Sequence, residues 1–146
     1  MARSGESMVV VVDDSAAAKR ALSYVAKLIG GRRGFHIVLM HVSQPLPPDL
    51  LKTGPLAQVQ ATERLDWALR ILGKGGISSR GVDFAFSNPT DASDAVNAVL
   101  KVARAQRCET IVVAHYAHSW FREIFGDHLA EELLRRAKGF ALWVVE

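Results

Sequence analysis

Residues 8–15 read MVVVVDDS, so a five-residue apolar run is followed at once by three side chains that can cap a helix. An unbroken run of β-branched residues is typical of a strand covered on both faces. Apolar residues then recur at helical spacing as far as Ile29, and Gly30-Gly31 predicts the end of that helix. This opening therefore predicts a buried strand that leads into a helix.

The same alternation of strand and helix continues along the chain. Further strands are predicted at 35–42, 81–86, 110–114 and 140–145, and helical periodicity covers about 59–72, 92–103 and 119–137. Such alternation requires right-handed crossovers, which give a parallel sheet with helices on both faces. We therefore expect one α/β domain, 1–146, built in three layers. In the third strand, Val82, Phe84 and Phe86 fall on one face, which suits a sheet edge.

Composition excludes several classes of function. The net charge is +3, and the basic residues are dispersed rather than gathered in a stripe, so we expect no specific nucleic-acid binding. The single cysteine, Cys108, excludes an internal disulfide and is expected to be a small buried hydrophobe. No apolar run approaches the roughly 18 residues that cross a bilayer, so we expect no membrane partner. The single cysteine fits a reducing compartment, and the run 8–12 is too short for a secretory signal, so we expect a cytoplasmic protein.

Any ligand is expected at the carboxyl ends of the strands, where the strand order reverses. The loops in question follow the first strand at Asp13, the second at Val42 and the fourth at Ala114. Asp13 could contact a ligand in this loop or cap the first helix, and the two roles stay equally open. Asp14 and Ser15 are expected to cap.

These loops carry a resemblance to a known family. The segment 12–15, Val-Asp-Asp-Ser, resembles the Val-Asp-x-Ser opening of the universal stress proteins, and 39–42 before a proline-rich loop resembles their second strand. Segments 111–114 and 130–137 resemble their fourth strand and fourth helix. The resemblance implies a five-stranded parallel sheet in the order 3-2-1-4-5, the fold of the adenine nucleotide alpha hydrolase-like proteins. It also implies a cytoplasmic stress-response role.

The resemblance implies a homodimer as well, formed through the last strand, which starts at Phe140 and runs to Val145. That strand is short and apolar, and bare apolar edges are usually covered by a partner.

Many members of that family bind ATP through a loop of pattern G-x2-G-x9-G-[S/T] after the fourth strand. An alignment without gaps places Ala114, Ala117, Asp127 and His128 at those positions, so every glycine is replaced. A carboxylate beside a triphosphate adds repulsion of at least about 1 kcal/mol in water. A one-residue slip to Gly126 would restore a Gly-Asp pair, but not the hydroxyl or the first two glycines. We therefore expect no ATP binding of the family's usual kind.

The candidate nucleotide cleft is formed by residues that lie at or near the three loops: Asp13, Val42, Ala114, His115, Ala117, Asp127 and His128. The loop histidines His115, His118 and His128 form only a weak metal motif, so no metal site is assigned. The aromatic residues 120, 121 and 125 suit core packing or a partner surface, and base stacking stays open.

The sequence thus favours a non-catalytic, dimeric binding module, with no catalytic residue and no cofactor assigned. The alternative is a regulatory domain that binds ATP or AMP, with slow or no hydrolysis, through Asp13, the backbone around Val42 and the loop 114–128. A hydrolase or metal enzyme built on the loop histidines is a third interpretation.

Overall fold

The computed structural model describes residues 6–12, 16–32, 34–42, 65–87, 89, 92–114 and 128–145. The strands are β1 Ser7–Val12, β2 His36–Val42, β3 Val82–Ser87, β4 Thr110–Ala114 and β5 Ala141–Val145. The helices are α1 Ala16–Ile29, α2 Asp66–Lys74, α3 Ala92–Ala105 and α4 His128–Arg136, and a single 3-10 turn, Ser79–Gly81, precedes β3.

The five strands form one parallel sheet in the order β3-β2-β1-β4-β5, which confirms the predicted fold. All six residues of β1 are buried because this strand lies at the centre of the sheet, and the unbroken apolar run is the result. The third strand does lie at an edge, as its alternation predicted. The rings of Phe84 and Phe86 share a face there, with centroids 6.4 Å apart, and Phe86 is 40% exposed.

The two faces of the sheet carry separate cores. Met8, Val10 and Val12 of β1 pack with residues of α1 and α2. The alternate residues Val9 and Val11 belong to the core that α3 and α4 cover, which also includes Ala17 and Ala21 of α1. This division follows from the strand period of two and from crossovers that run in opposite directions from the centre of the sheet.

Gly30 follows the end of α1 as predicted, and it also lies against Gly75 after α2, a contact that the sequence did not indicate. A Cβ added to Gly30 would lie far inside contact distance of the Gly75 carbonyl oxygen, and one added to Gly75 would collide with the Ala26 methyl. The two glycines therefore let the carboxyl ends of α1 and α2 touch through their backbones.

Two predicted helices extend beyond the described part of the chain. α2 is described from Asp66, and 59–64 of the predicted helix lie outside the described residues. α4 is described from His128, and 119–127 of its predicted range likewise lie outside. Within the described ranges, each helix is too short or too polar to cross a membrane.

Candidate ligand-binding edge

The strand order reverses between β1 and β4. Val11 is in register with Val113, so the two strands end side by side, at Val12 and Ala114. The chain leaves β1 toward β2 through α1, whereas it leaves β4 toward β5 on the opposite face. Diverging crossovers open a crevice at this point, which is where open α/β sheets bind ligands.

Val42 ends β2 at the same edge of the sheet. It is buried and in register with Ser87 of β3, so its backbone rather than its side chain is available to a ligand. The preceding residue, His41, is also buried and is in register with Val12. No motif assigns His41 a role, although a polar residue inside an apolar strand is a signal for a special position.

Ala114 replaces a family glycine without backbone strain. It ends β4 as a strand residue in register with Val145. Arg107, at φ 55°, is the one non-glycine residue with positive φ in the described part of the chain, so Ala114 has an ordinary φ. The methyl group at 114 is therefore no conformational obstacle. Of the four departures from the family's loop pattern, this one does not by itself exclude a phosphate loop.

The other predicted cleft residues lie mostly outside the described residues. Asp13, His115, Ala117 and Asp127 all do, as do His118 and the three loop aromatics. His128 is the first residue of α4. The structure thus brings Val42 and Ala114 to one edge of the sheet, and His128 begins the helix that connects β4 to β5.

A cation–aromatic contact lies on the α1 and α2 side of this edge. The Lys19 ammonium nitrogen is 5.7 Å from the centroid of the Trp67 ring. Both helices begin at the carboxyl edge of the sheet, and both residues belong to their first turns. The contact ties the two helix starts together beside β1 and β2, and contacts of this kind contribute about 0.5–1 kcal/mol at exposed positions.

No group of three potential metal ligands occurs in the ranges that the structure describes. The predicted absence of a metal site at the loop histidines is not tested, because His115 and His118 lie outside those ranges.

A second feature is the outer edge of the sheet at β5. Residues two apart on a helix project from opposite sides, about 200° apart. Ala26 of α1 packs against Gly75 near the end of α2, so Tyr24 and Leu28 lie on the side of α1 away from α2, toward β4 and β5. Both are exposed.

The same argument applies to α4 on the other face. The Arg136 guanidinium donates to the Asn97 side-chain oxygen on α3. Leu134, two residues earlier, therefore points away from α3 and toward the outside of the sheet, and it is 67% exposed. Val144 of β5 is exposed and shares the α3 and α4 face of the sheet with Leu142. We call Tyr24, Leu28, Leu134 and Val144 the β5 edge surface.

Comparison with known proteins gives a family for this architecture. The model of the universal stress protein family matches residues 6–144. A search of curated protein sequences gave no significant match.

Solved structures repeat the fold over nearly the whole chain. A universal stress protein from Archaeoglobus fulgidus is 21% identical, with a TM-score of 0.65 over 97% of this chain and 93% of that one. An Archaeoglobus fulgidus universal stress protein in complex with dAMP is 16% identical, with a TM-score of 0.66 over 99% and 100%. A universal stress protein in complex with cAMP is 15% identical, with a TM-score of 0.66 over 97% of each chain.

Proposed function

Because the chain belongs to the universal stress protein family, we propose that it is a cytoplasmic stress-response protein that acts as a non-catalytic, dimeric binding module. The observation that carries the proposal is the β5 edge surface. In this dimer, a second copy of the chain covers β5, and the edge at the ends of β1, β2 and β4 remains open to a small ligand.

The β5 edge surface has the composition of an interface. β5 has β4 as its one strand neighbour in the described sheet, so its other side offers unpaired backbone groups. Exposed apolar residues flank that side on both faces, Tyr24 and Leu28 on one and Leu134 on the other. Edge strands that are left bare promote association, and charged residues normally protect them. No residue of β5 has a charged side chain; the strand consists of Ala141, Leu142, Trp143, Val144 and Val145.

Leu134 sets the size of the expected interface effect. Complete burial of a leucine contributes about 1.5–3 kcal/mol, so covering a side chain that is 67% exposed contributes roughly 1–2 kcal/mol. A symmetric dimer contains the contact twice, which gives roughly 2–4 kcal/mol. Leu134→Ala should therefore weaken dimerisation about 30- to 1000-fold.

The test measures the dimer dissociation constant by light scattering and sedimentation over a range of concentrations. The matched control is Phe86→Ala, which removes an exposed apolar side chain from the opposite edge of the sheet and should leave dimerisation unchanged. A wild-type monomer at micromolar concentration would contradict the proposal. So would a loss of dimer in Phe86→Ala equal to that in Leu134→Ala.

A second candidate function is a regulatory domain that binds ATP or AMP, with slow or no hydrolysis. The observation that favours it is that Ala114 causes no strain at the end of β4, together with the nucleotides in two structures of the same fold. Asp127 and the missing loop glycines favour the first proposal instead, because acceptor-only oxygens compete for the amides that phosphate would use.

A thermal-shift panel separates the two candidates. ATP, AMP and cAMP are each tested with and without Mg²⁺, and CTP is the control for non-specific attraction of anions to a chain of net charge +3. A true ligand at about a hundred times its dissociation constant adds roughly 2.7 kcal/mol of stability. A shift with an adenine nucleotide alone supports the second candidate. Equal, small shifts with all nucleotides, together with a stable dimer, support the first, and phosphate release above the buffer rate would contradict its non-catalytic part.

A further inference from the structure

A contact between an imidazole and a carboxylate joins the edge strand β3 to β2. The Nε2 atom of His36 lies 2.9 Å from Oδ2 of Asp83, with the His36 side chain 15% exposed and the Asp83 side chain 52% exposed. The period of two places both residues on the face covered by α3 and α4, where Val38 and Ala85 pack into the same core. The pair lies at the amino ends of the two strands, at the opposite end of the sheet from the candidate ligand-binding edge.

Because β3 is an edge strand, a contact with its neighbour β2 affects how firmly β3 is held. β3 is held by β2 on one side, and the described sheet offers no strand on the other. The backbone hydrogen bonds between the two strands do not change between pH 5 and 8. The charge of an imidazole does change in this range, because its ordinary pKa is about 6.5. We propose that His36 and Asp83 form a pH-sensitive latch that fastens the edge strand β3 to β2.

The direction of the effect follows from the two charges. The pair attracts strongly only when His36 is protonated and Asp83 is ionised. An ordinary imidazole carries its charge below about pH 6.5, so the attraction grows as pH falls through that value. Attraction to Asp83 favours the protonated imidazole in the folded state, so the added stability is present at low pH and is lost as pH rises. β3 should therefore open more often at pH 7.5 than at pH 5.5.

Charges on the neighbouring elements have both signs. Glu6 directly precedes β1, and its carbonyl oxygen accepts a hydrogen bond from the His36 backbone N–H at 2.9 Å. Arg80 lies in the turn before β3, and Lys101 and Arg104 lie exposed on the carboxyl-terminal half of α3. The bases oppose protonation of His36, and Glu6 favours it. Asp83 is the carboxylate in contact with the imidazole, so its removal is the decisive test.

The experiment measures amide hydrogen exchange by NMR at pH 5.5 and pH 7.5, with each rate corrected for the intrinsic effect of pH. Wild-type amides at 82–87 should open roughly two- to fivefold less often at pH 5.5, the range that a partly exposed ion pair supports. The titration of the His36 ring protons is followed in the same samples.

Asp83→Asn keeps the shape of the side chain and removes its charge. The control Glu109→Gln removes one negative charge from the same end of the sheet, beside β4. Asp83→Asn should abolish the pH difference at 82–87 and move the midpoint of the His36 titration to lower pH, and Glu109→Gln should change neither. The latch is refuted if the pH difference persists in Asp83→Asn, or if it is equal in β3 and in the central strand β1.

Discussion

Substitution of alanine for Gly30 should destabilise the fold strongly, because of the contact between the ends of α1 and α2. The added methyl would overlap two backbone oxygens, those of Gly75 and Ala26. Neither atom belongs to a flexible side chain that could turn away. Overpacking typically costs about 1–3 kcal/mol, and collision with backbone on both sides places Gly30→Ala at the upper end, about 3 kcal/mol.

The chain offers a matched control in Gly73. A Cβ at this position meets nothing within 4 Å, and Gly73 lies inside α2. Alanine in a helix interior is more favourable than glycine by up to about 1 kcal/mol. Gly73→Ala should therefore be neutral or stabilising, although the chemical change is identical.

Urea unfolding and thermal unfolding, both followed by circular dichroism, give the free energy of unfolding and the Tm of each variant relative to wild type. In a chain of 146 residues, a loss of 3 kcal/mol corresponds to a fall in Tm of roughly 6–12 °C. The slope of the free energy against urea should stay constant, which shows that the native state has lost stability rather than compactness. If Gly30→Ala unfolded within about 0.5 kcal/mol of wild type, the two helix ends could not be in contact, and the packing of α1 on α2 would need another explanation.

Two further substitutions test the core and the candidate cleft. Cys108 is buried among apolar residues next to β4, so Cys108→Ser should lower the free energy of unfolding in urea by about 1–3 kcal/mol. The native thiol should also react slowly with a thiol reagent, and fast labelling of the native protein would contradict its burial. Asp127→Asn removes a negative charge from the predicted phosphate loop and should raise affinity for ATP without Mg²⁺ by at least about fivefold, measured by calorimetry. Unchanged affinity would show that charge repulsion is not what disfavours ATP.

The predictable part of the fold is the part that depends on burial. The run at 8–12 is apolar throughout because β1 has helices on both sides and strands on both sides. The alternation at 82–86 differs because β3 has a neighbouring strand on one side only, and it predicted an edge correctly. A strand buried on both faces has an unbroken apolar run, whereas a strand buried on one face alternates, so the central position of β1 and the edge position of β3 could both be recognised from the sequence.

Contacts between distant segments leave no such pattern. His36 precedes an apolar run and Asp83 sits within an alternating one, and neither context indicates that the two side chains meet. Gly30 was recognised as a helix end, but its contact with Gly75 depends on the angle at which α1 crosses α2. The register of strands and the packing angle of helices decide such contacts, and both are properties of the assembled chain.

The sequence predicted which strand ends lie together at the candidate ligand-binding edge, whereas the chemistry of that edge stays a prediction. The strand order places the ends of β1 and β4 together, so Ala114 belongs at that edge whatever its side chain. Whether alanine suits that position depends on the sign of one φ angle, which no residue pattern reveals. The structure answers this for Ala114 and leaves the predicted roles of Asp13 and Asp127 as predictions, because both residues lie outside the described part of the chain.

The strand order also separates the latch from the β5 edge surface. β3 and β5 lie at opposite edges, with β2, β1 and β4 between them. At about 4.8 Å between neighbouring strands, the two edges are roughly 19 Å apart. Substitutions more than about 7–10 Å apart that share no partners usually have additive effects. A change at Asp83 or Phe86 should therefore leave dimerisation through β5 untouched, and this independence is what makes Phe86→Ala a fair control for Leu134→Ala.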